Sequence, residues 1–214
     1  MPLLCGIDEA GRGPVLGPLV VCGVAVEEAQ HGRVERMGLK DSKVLAPAVR
    51  ERLFLEIHAA GVLIAIKVFP APAVDAARRR NGLNALEAKA MAGIIRRFAP
   101  VRVWVDGLTN RPRAYGRLLE AMILPARARI VSESRADERY PLVQAAAIVA
   151  KVTRDAAIAS LAESHGEIGS GYPGDPKTKA FLRRCARAGH FPPFVRRSWL
   201  TVTRMTGERA AGEA

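Results

Sequence analysis

The chain opens with a stretch that runs Gly6-Ile7-Asp8-Glu9-Ala10-Gly11-Arg12-Gly13-Pro14. An apolar run ends here in two adjacent carboxylates, and a Gly-Arg-Gly turn closed by proline follows at once. Acid groups at the end of a buried strand are costly unless a cation or a hydrogen-bond donor compensates them, and a divalent metal ion suits a pair of carboxylates. Glycines leave the main chain open to close approach by a ligand. The stretch therefore predicts an acidic site beside a turn that contacts a phosphate or a sugar.

Apolar runs and helical periodicities alternate along the rest of the chain. Buried strands are predicted at 3–7, 19–26, 62–69, 101–105 and 128–131. Helices are predicted at 47–60, 74–80, 83–98, 112–123 and from 141 to about 164, and the C-terminal remainder is helical and basic. The first two strands are expected to pair as neighbours. This order of elements predicts an α/β fold, in which a mixed sheet carries helices on its faces.

Length and composition limit the class of protein. A chain of 214 residues predicts a single domain, with a core at about 1–165, a loop and helical segment at about 166–204 and a flexible tail at about 205–214. Cys5, Cys22 and Cys185 lack the spacing of a metal finger and are interpreted as small buried thiols. No signal peptide precedes the first strand, and no apolar stretch approaches the roughly 18 residues of a membrane span. We therefore expect a cytoplasmic protein with no membrane partner.

Basic residues dominate the charge balance. Lys and Arg total 33 against 21 Asp and Glu, which gives a net charge of +12 and a pI near 10.5. Only seven of the basic residues are lysine, and the arginine fork matches the oxygens of a phosphate. A basic excess of this size favours a nucleic-acid partner. General basic character, as in many ribosomal or thermophile proteins, is the alternative.

Two further acids lie where a site is expected. Asp106 ends an apolar strand and is followed by Gly107, and Asp8 has the same position on the first strand. Because ligand sites of α/β sheets lie at the carboxyl ends of strands, two parallel central strands would bring these acids together. Asp137 follows the fifth strand. The alternatives are a turn residue for Asp106 and a helix N-cap for Asp137.

Hard oxygen donors without a His–Cys cluster favour Mg²⁺ or Mn²⁺ over zinc. Two such ions about 3.5–4 Å apart serve phosphodiester hydrolysis. Neighbours on a regular strand point to opposite faces, so Asp8 and Glu9 share a site only if the chain leaves the strand there; otherwise Glu9 offers its backbone carbonyl. Asp155 is excluded, because 18 residues of continuous helix separate it from Asp137 by roughly 27 Å. It is interpreted as structural, or as an ion-pair partner of Arg154.

Six segments together are similar to the type 2 ribonucleases H, the ribonuclease HII family. They are Gly6 to Pro14, Leu39-Lys40-Asp41-Ser42-Lys43, Val105-Asp106, Ala136-Asp137 leading into Tyr140-Pro141, the segment 145–155, and Gly169-Ser170-Gly171-Tyr172-Pro173. They occur in order over nearly the whole chain. Tyr140-Pro141 and Arg197-Ser198-Trp199 resemble the branch of archaeal enzymes and eukaryotic catalytic subunits. Type 3 enzymes fit less well, since they carry lysine at the position of Arg12 and a long N-terminal extension.

The resemblance implies a ribonuclease H-like mixed five-stranded sheet flanked by helices, with Asp8, Glu9, Asp106 and Asp137 as catalytic and metal-binding carboxylates. It implies cleavage of RNA paired with DNA, and of single ribonucleotides in duplex DNA on their 5′ side, which leaves 3′-hydroxyl and 5′-phosphate ends. It also implies a role in DNA replication and ribonucleotide excision repair, and we expect a monomer. No motif of the kind that binds a sliding clamp is evident, so that partner is not predicted.

The same resemblance implies the substrate contacts. Gly11-Arg12-Gly13 would contact the 2′-hydroxyl, and Tyr172 would stack near the following deoxyribose; without the resemblance, Tyr172 is equally a loop aromatic packed on the core. Side chains suited to phosphate contact, or else to a solvated surface, are Ser42, Lys43, Lys40, Lys151 and Arg154. Basic residues of the C-terminal segment that could flank the duplex are Lys177, Lys179, Arg183, Arg184 and Arg187.

Two other functions compete with this one. A nuclease or transferase that acts on DNA could carry the same acids, and it would cleave an all-DNA duplex as fast as a duplex containing a ribonucleotide. A non-catalytic nucleic-acid-binding protein would show salt-sensitive binding without turnover. The second alternative leaves the buried acids unexplained.

Overall fold

The computed structural model describes residues 1–39 and 45–207. The strands are β1 Leu3–Ala10, β2 Leu19–Glu27, β3 Leu63–Phe69, β4 Arg102–Asp106 and β5 Arg129–Glu133. The helices are α1 His31–Glu35, α2 Pro47–Ala59, α3 Ala71–Arg79, α4 Leu83–Phe98, α5 Pro112–Ile123, α6 Pro141–His165, α7 Pro176–Arg187 and α8 Leu200–Thr206. Short 3-10 turns lie at Glu28–Gln30 and Ala136–Glu138.

The strands form one five-stranded sheet in the order β3-β2-β1-β4-β5. β1 pairs with β4 in parallel, and β4 pairs with β5 in parallel. The predicted mixed sheet flanked by helices is confirmed, as is the pairing of the first two strands as neighbours. β1 and β2 are buried along almost their whole length, as expected for central strands rich in Val, Leu and Ile that are covered on both faces.

Differences from the predicted boundaries are small and have local causes. β1 continues three residues beyond the predicted end at Ile7, so both Asp8 and Glu9 belong to the strand. The sequence did not predict α1, a helix of five residues that buries only Val34 and therefore shows no periodicity. β3, at the sheet edge, is largely exposed on both faces.

The chain forms two compact units. The first contains Met1–Ala10, Val21–Lys67 and Asn84–Val152; the second contains Gly11–Val20, Val68–Leu83 and Thr153–Ala214. Side chains such as Leu16, Val74, Phe181 and Trp199 form the apolar core of the second unit. The single domain stays a prediction, and the division at 152/153 falls inside α6 rather than at its end.

Within the first unit, α6 lies directly on β1. Residues 142–150 of the helix are all buried. The alanines among them have small side chains, which allow the helix to pack closely. A methyl group added at Gly6 would collide with the backbone of Leu142 and Val143. This close approach packs the start of α6 against the strand two residues before Asp8.

The predicted buried thiols are confirmed, since Cys5, Cys22 and Cys185 are all free and buried. Burial raises the pKa of each thiol, and nearby Cys5 and Asp8 add to the effect at Cys22. Raised pKa values keep these groups protonated and unreactive. In the part of the chain that the structure describes, no helix is both long and apolar enough to cross a lipid bilayer.

The close packing at Gly6 predicts the effect of two substitutions. Gly6→Ala should reduce the free energy of unfolding by about 3 kcal/mol, because backbone atoms of α6 must move to admit the methyl group. Gly93→Ala in α4 is the matched control: its added methyl meets no atom within 4 Å, and it should be neutral or stabilising by up to about 1 kcal/mol. Urea unfolding of both variants measures the difference; equal stabilities would contradict the packing described.

Candidate active site

The β1–β4 register brings two predicted carboxylates side by side. Ile7 is the parallel partner of Val105, so the next residues, Asp8 and Asp106, occupy neighbouring positions on strands about 4.8 Å apart. Residues in register share a face of the sheet. Asp8 is 5 % exposed and Asp106 is partly exposed. The parallel pairing that would bring the two acids together is present between β1 and β4, and it places them at one edge of the sheet.

Asp106 also connects this edge to the turn that carries Asp137. An oxygen of its carboxylate, Oδ1, accepts a hydrogen bond of 2.9 Å from the Ala136 amide. Asp137 is the next residue and is 1 % exposed. It belongs to the 3-10 turn Ala136–Glu138, whereas α6 begins only at Pro141, so Asp137 is not the N-cap of the long helix.

Glu9 is held differently from Asp8. Both lie within β1, and strand alternation directs their side chains to opposite faces. The Glu9 amide donates a hydrogen bond of 2.8 Å to Asp8 Oδ1. Because β1 continues through Ala10, regular alternation favours the backbone carbonyl of Glu9 over its carboxylate, and the choice between the two stays a prediction.

Sequence reasoning missed a third acid in this row. On β5, Glu133 pairs in register with Asp106 of β4. Its Oε2 accepts hydrogen bonds from Arg139 Nη1 at 3.0 Å and from the Tyr140 hydroxyl at 3.1 Å. Desolvation and this carboxylate raise the pKa of Tyr140. An apolar strand followed by Glu133 was the available signal, but the predicted strand ended at residue 131.

The donor chemistry suits a hard divalent cation, because the acids at this edge offer oxygen ligands and no sulfur or imidazole accompanies them. Within 1–39 and 45–207, however, no three His, Cys, Asp or Glu side chains are grouped so as to hold a metal ion. One oxygen each of Asp8 and Asp106 accepts a hydrogen bond from a backbone amide, and regular strand alternation would direct the Glu9 side chain to the other face. The types of donor therefore suit such an ion, and the acids lie near one another, but the described residues do not form a complete set of ligands.

In the second unit, the loop after β1 is held by the C-terminal segment. Arg196 is fully buried and donates to three backbone carbonyls, at 3.1 Å to Gly17, 2.9 Å to Pro14 and 3.4 Å to Arg12. The indole of Trp199 donates to the Gly13 carbonyl at 2.9 Å, and the Arg196 guanidinium lies over its ring at 4.9 Å. The Gly-Arg-Gly turn is thus fixed through its carbonyls.

Arg154 holds the same turn to the Gly-Tyr-Pro loop. It is 1 % exposed and donates to the Ser170 carbonyl at 3.0 Å and to Asp155 at 3.4 Å, which confirms the predicted ion pair. Its guanidinium lies 5.1 Å from the Tyr172 ring centroid. A methyl group at Gly11, whose φ is +98°, would meet Arg154 Cδ at 2.9 Å. Direct contact of Arg154 with a phosphate stays a prediction, because these interactions occupy it inside the protein.

Asp175 fixes the other end of the Gly-Tyr-Pro loop. It caps α7 through the Lys177 amide at 2.8 Å, and its second oxygen accepts from the amide and hydroxyl of Ser170 at 2.6 and 2.7 Å. These hydrogen bonds lower the pKa of Asp175 to about 2. Tyr172, three residues earlier, is 40 % exposed. Its ring lies near the Arg154 guanidinium and remains accessible.

Comparison with known proteins identifies the family of this chain. The family model of ribonuclease HII matches residues 5–202. Ribonuclease HII of Methanoregula boonei is 43% identical over 208 residues, which cover 97% of this chain and 96% of that protein. The chain belongs to the ribonuclease HII family. Enzymes of this family are metal-dependent ribonucleases, and this chain is accordingly a nuclease.

Solved structures of the family have the same fold. Ribonuclease H2 from Pyrococcus horikoshii superposes with a TM-score of 0.87 at 37% identity, covering 96% of this chain and 97% of that one. Ribonuclease HII from Archaeoglobus fulgidus, solved in a complex with PCNA, gives a TM-score of 0.86 at 38% identity, covering 94% and 96%. The predicted likeness to the archaeal branch of the ribonuclease HII family is thereby confirmed.

The remaining predicted substrate contacts have varied environments. Ser42, Lys43 and Lys40 lie outside the described residues. Lys151 is partly exposed on α6, and Arg183 and Arg187 are exposed on α7. Lys177 pairs with Glu167 at 2.7 Å, and Arg184 donates to the Glu167 carbonyl at 3.0 Å. Lys177 and Arg184 therefore stabilise the loop before α7.

The hydrogen bonds of Arg196 predict a stability loss. Arg196→Gln should lower the free energy of unfolding by about 3 kcal/mol, since the shorter amide leaves the backbone carbonyls of the loop after β1 unsatisfied. Arg204→Gln, an exposed position on α8, is the matched control and should change stability by less than about 0.5 kcal/mol. Thermal and urea unfolding measure both; a loss at Arg204 as large as that at Arg196 would contradict the assignment.

The lowered pKa of Asp175 predicts an acid-dependent stability. The ionised form is stabilising above the unfolded-state pKa near 3.8, and the contribution disappears as the pH falls towards about 2. Asp175→Asn keeps an N-capping residue but does not titrate. The variant should be less stable than the parent at pH 6 and should converge with it as the pH approaches 2. Parallel unfolding curves with a constant difference across this range would refute the role of the charge.

Proposed function

We propose that this chain hydrolyses the RNA strand of RNA/DNA hybrids and cuts on the 5′ side of ribonucleotides embedded in duplex DNA. The products carry 3′-hydroxyl and 5′-phosphate ends. The observation that carries the proposal is the parallel register that sets Asp8 beside Asp106, with Asp106 hydrogen-bonded to the turn of Asp137. Membership in the ribonuclease HII family supports the choice of substrate.

The residues that would hold two Mg²⁺ or Mn²⁺ ions are Asp8, Asp106 and Asp137 through their carboxylates, and Glu9 through its carboxylate or its carbonyl. When bound, the ions supply activation of the attacking water and neutralisation of the charge that develops on the leaving oxygen. Asp8 and Asp137 are almost fully buried, so their charges act where water screens them little. The Ala136 amide orients Asp106 and keeps the Asp137 turn beside it.

The Gly-Arg-Gly turn would recognise the ribose. Only the 2′-hydroxyl distinguishes RNA from DNA at one nucleotide, and reading it requires backbone groups held at fixed positions. Arg196 and Trp199 bind the carbonyls of Arg12 and Gly13, which limits the motion of the turn. Gly13 is exposed, and an added methyl would meet open space, so a sugar has room to approach there.

Tyr172 would stack on the deoxyribose that follows the ribonucleotide. Its ring is exposed on one side and lies near the Arg154 guanidinium on the other. A ring against this sugar would disfavour an additional hydroxyl, and it would thereby favour a cut at an RNA–DNA junction. Lys151, together with Ser42 and Lys43, would contact phosphates of the duplex. We further propose that the enzyme acts as a cytoplasmic monomer in replication and ribonucleotide repair.

Asp106→Asn tests the function directly. The amide keeps an acceptor for the Ala136 amide but removes the charge, and removal of several kcal/mol of metal-dependent stabilisation should slow cleavage roughly a thousandfold. The assay is cleavage of a duplex containing one ribonucleotide, with Mg²⁺ or Mn²⁺. Glu163→Gln makes the same chemical change at an exposed position of α6 and should cleave at the parent rate.

An all-DNA duplex of the same sequence and a chelator control complete this test. The parent enzyme should leave the DNA duplex intact and should lose activity when the divalent ions are removed. Cleavage of both duplexes at one rate would indicate a DNA nuclease, and salt-sensitive binding without turnover would indicate a binding protein. Unchanged cleavage by Asp106→Asn would overturn the assignment of that residue.

A further inference from the structure

Asp75 is a buried carboxylate to which the proposed function assigns no role. It lies in the middle of α3 and is 9 % exposed. Its Oδ2 accepts a hydrogen bond of 2.7 Å from the Arg197 amide, and its Oδ1 accepts hydrogen bonds from the amide and the hydroxyl of Ser198 at 3.1 and 2.6 Å. Three donors compensate for the burial of the carboxylate. Asp75 therefore anchors a segment that lies 122 and 123 positions further along the chain.

The two residues that flank this segment bind the Gly-Arg-Gly turn. Arg196 precedes the segment and donates to the Arg12 carbonyl at 3.4 Å. Trp199 follows the segment, and its Nε1 donates to the Gly13 carbonyl at 2.9 Å. The helix α3, the C-terminal segment and the turn all belong to the second unit. The carboxylate on α3 is therefore connected to the turn in two hydrogen-bonded steps.

A second residue of α3 holds the indole ring. The Arg78 guanidinium lies over the Trp199 ring, 4.6 Å from its centroid, and the Arg196 guanidinium lies over the same ring at 4.9 Å. Cations are attracted to the face of an indole. The Trp199 side chain is buried, and its single N–H is a donor only. These contacts hold the ring in the position from which its N–H reaches the Gly13 carbonyl.

The Gly13 carbonyl is the group through which the end of the turn can be fixed. Pro14 follows, and proline has no amide hydrogen, so the peptide group between Gly13 and Pro14 can be held by a hydrogen bond only through its carbonyl. Trp199 supplies that hydrogen bond. Gly13 has no side chain of its own to restrict the backbone. Loss of the indole N–H would therefore leave this peptide group without that restraint.

We propose that Trp199 is a positioning residue for recognition of the 2′-hydroxyl, and that Asp75 and Arg78 hold it in place from α3. The inference rests on the proposed function, because it names residues that set the specificity of the turn. Tight and selective binding of the ribose requires backbone groups whose positions are fixed before the substrate arrives. Trp199 acts through the Gly13 carbonyl and is not itself a group that reads the sugar.

The ratio of two dissociation constants tests the proposal. They are the constants of a duplex containing one ribonucleotide and of the all-DNA duplex of the same sequence, both measured in EDTA so that neither is cleaved. Trp199→Phe removes the N–H and keeps an aromatic ring, and it should reduce the preference for the ribonucleotide about fivefold, the size expected for one hydrogen bond. Asp75→Asn sets an amide nitrogen, itself a donor, against one of the three donors and should reduce the preference in the same direction.

Val202→Ala is the matched control for packing. Val202 is fully buried in the same apolar core as Trp199, so its truncation should lower the melting temperature and keep the parent ratio. Loss of folded protein changes both constants alike and does not move their ratio. Replacement of Trp199 by benzothienylalanine, in which sulfur takes the place of the N–H, gives the same test if the phenylalanine variant does not fold. A parent ratio in the Trp199 variants, or an equal loss of preference in Val202→Ala, would overturn the proposal.

Backbone order distinguishes failure of this inference from failure of the proposed function. ¹⁵N relaxation should give high order parameters for the Arg12 and Gly13 amides in the parent and lower values in Trp199→Phe. A parent that binds both duplexes equally would refute the ribose recognition on which the inference rests. A parent that prefers the ribonucleotide, with an unchanged ratio and unchanged order parameters in Trp199→Phe, would refute the inference alone.

Discussion

The parallel pairing of β1 with β4 places the carboxylates of Asp8 and Asp106 in adjacent positions, where they repel each other. The chemistry proposed for this protein depends on that repulsion. Two unit charges about 5 Å apart repel by about 3 kcal/mol at an effective dielectric constant of 20. The backbone amides of Glu9 and Ala136 offset part of this energy by donating to Asp8 and Asp106. A divalent cation would offset the rest, so the repulsion between the acids becomes a driving force for metal binding at the edge of a buried sheet.

Each unit is held by close contacts of its own. In the first, Gly6 lets α6 approach the backbone of β1 two residues before Asp8. In the second, Arg154 contacts the loop at Ser170 and Tyr172. In the same unit, Arg196 donates to the carbonyls of Arg12, Pro14 and Gly17, in and after the Gly-Arg-Gly turn. Arg154 and Arg196 are among the largest fully buried side chains. Part of the basic excess therefore organises loops, and the net charge overstates the number of cations exposed at the surface.

Much of this was accessible from the sequence. Valine-rich runs located the strands, and glycines and prolines marked the ends of α2, α5 and α6 to within about two residues. Asp8 and Asp106 were predictable because each ends an apolar run. Glu133 was missed because the predicted fifth strand stopped two residues early. The role of Arg196 was inaccessible, since its partners lie about 180 positions away and no local pattern encodes them.

Glu9 shows where local rules stop. Alternation along a strand states the conflict between Asp8 and Glu9, and β1 continues through Ala10, but which oxygen of Glu9 would serve an ion stays a prediction. The metal-binding role proposed for the four acids rests on residue type and on the register rather than on a closed ligand set.

Anomalous scattering from crystals soaked in Mn²⁺ tests the central claim most directly. The account predicts manganese peaks at the carboxyl edge of β1 and β4, ligated by Asp8, Asp106 and Asp137, with Glu9 contributing through an oxygen of either kind. Manganese bound elsewhere, or no peak at this edge under conditions in which the enzyme is active, would contradict it.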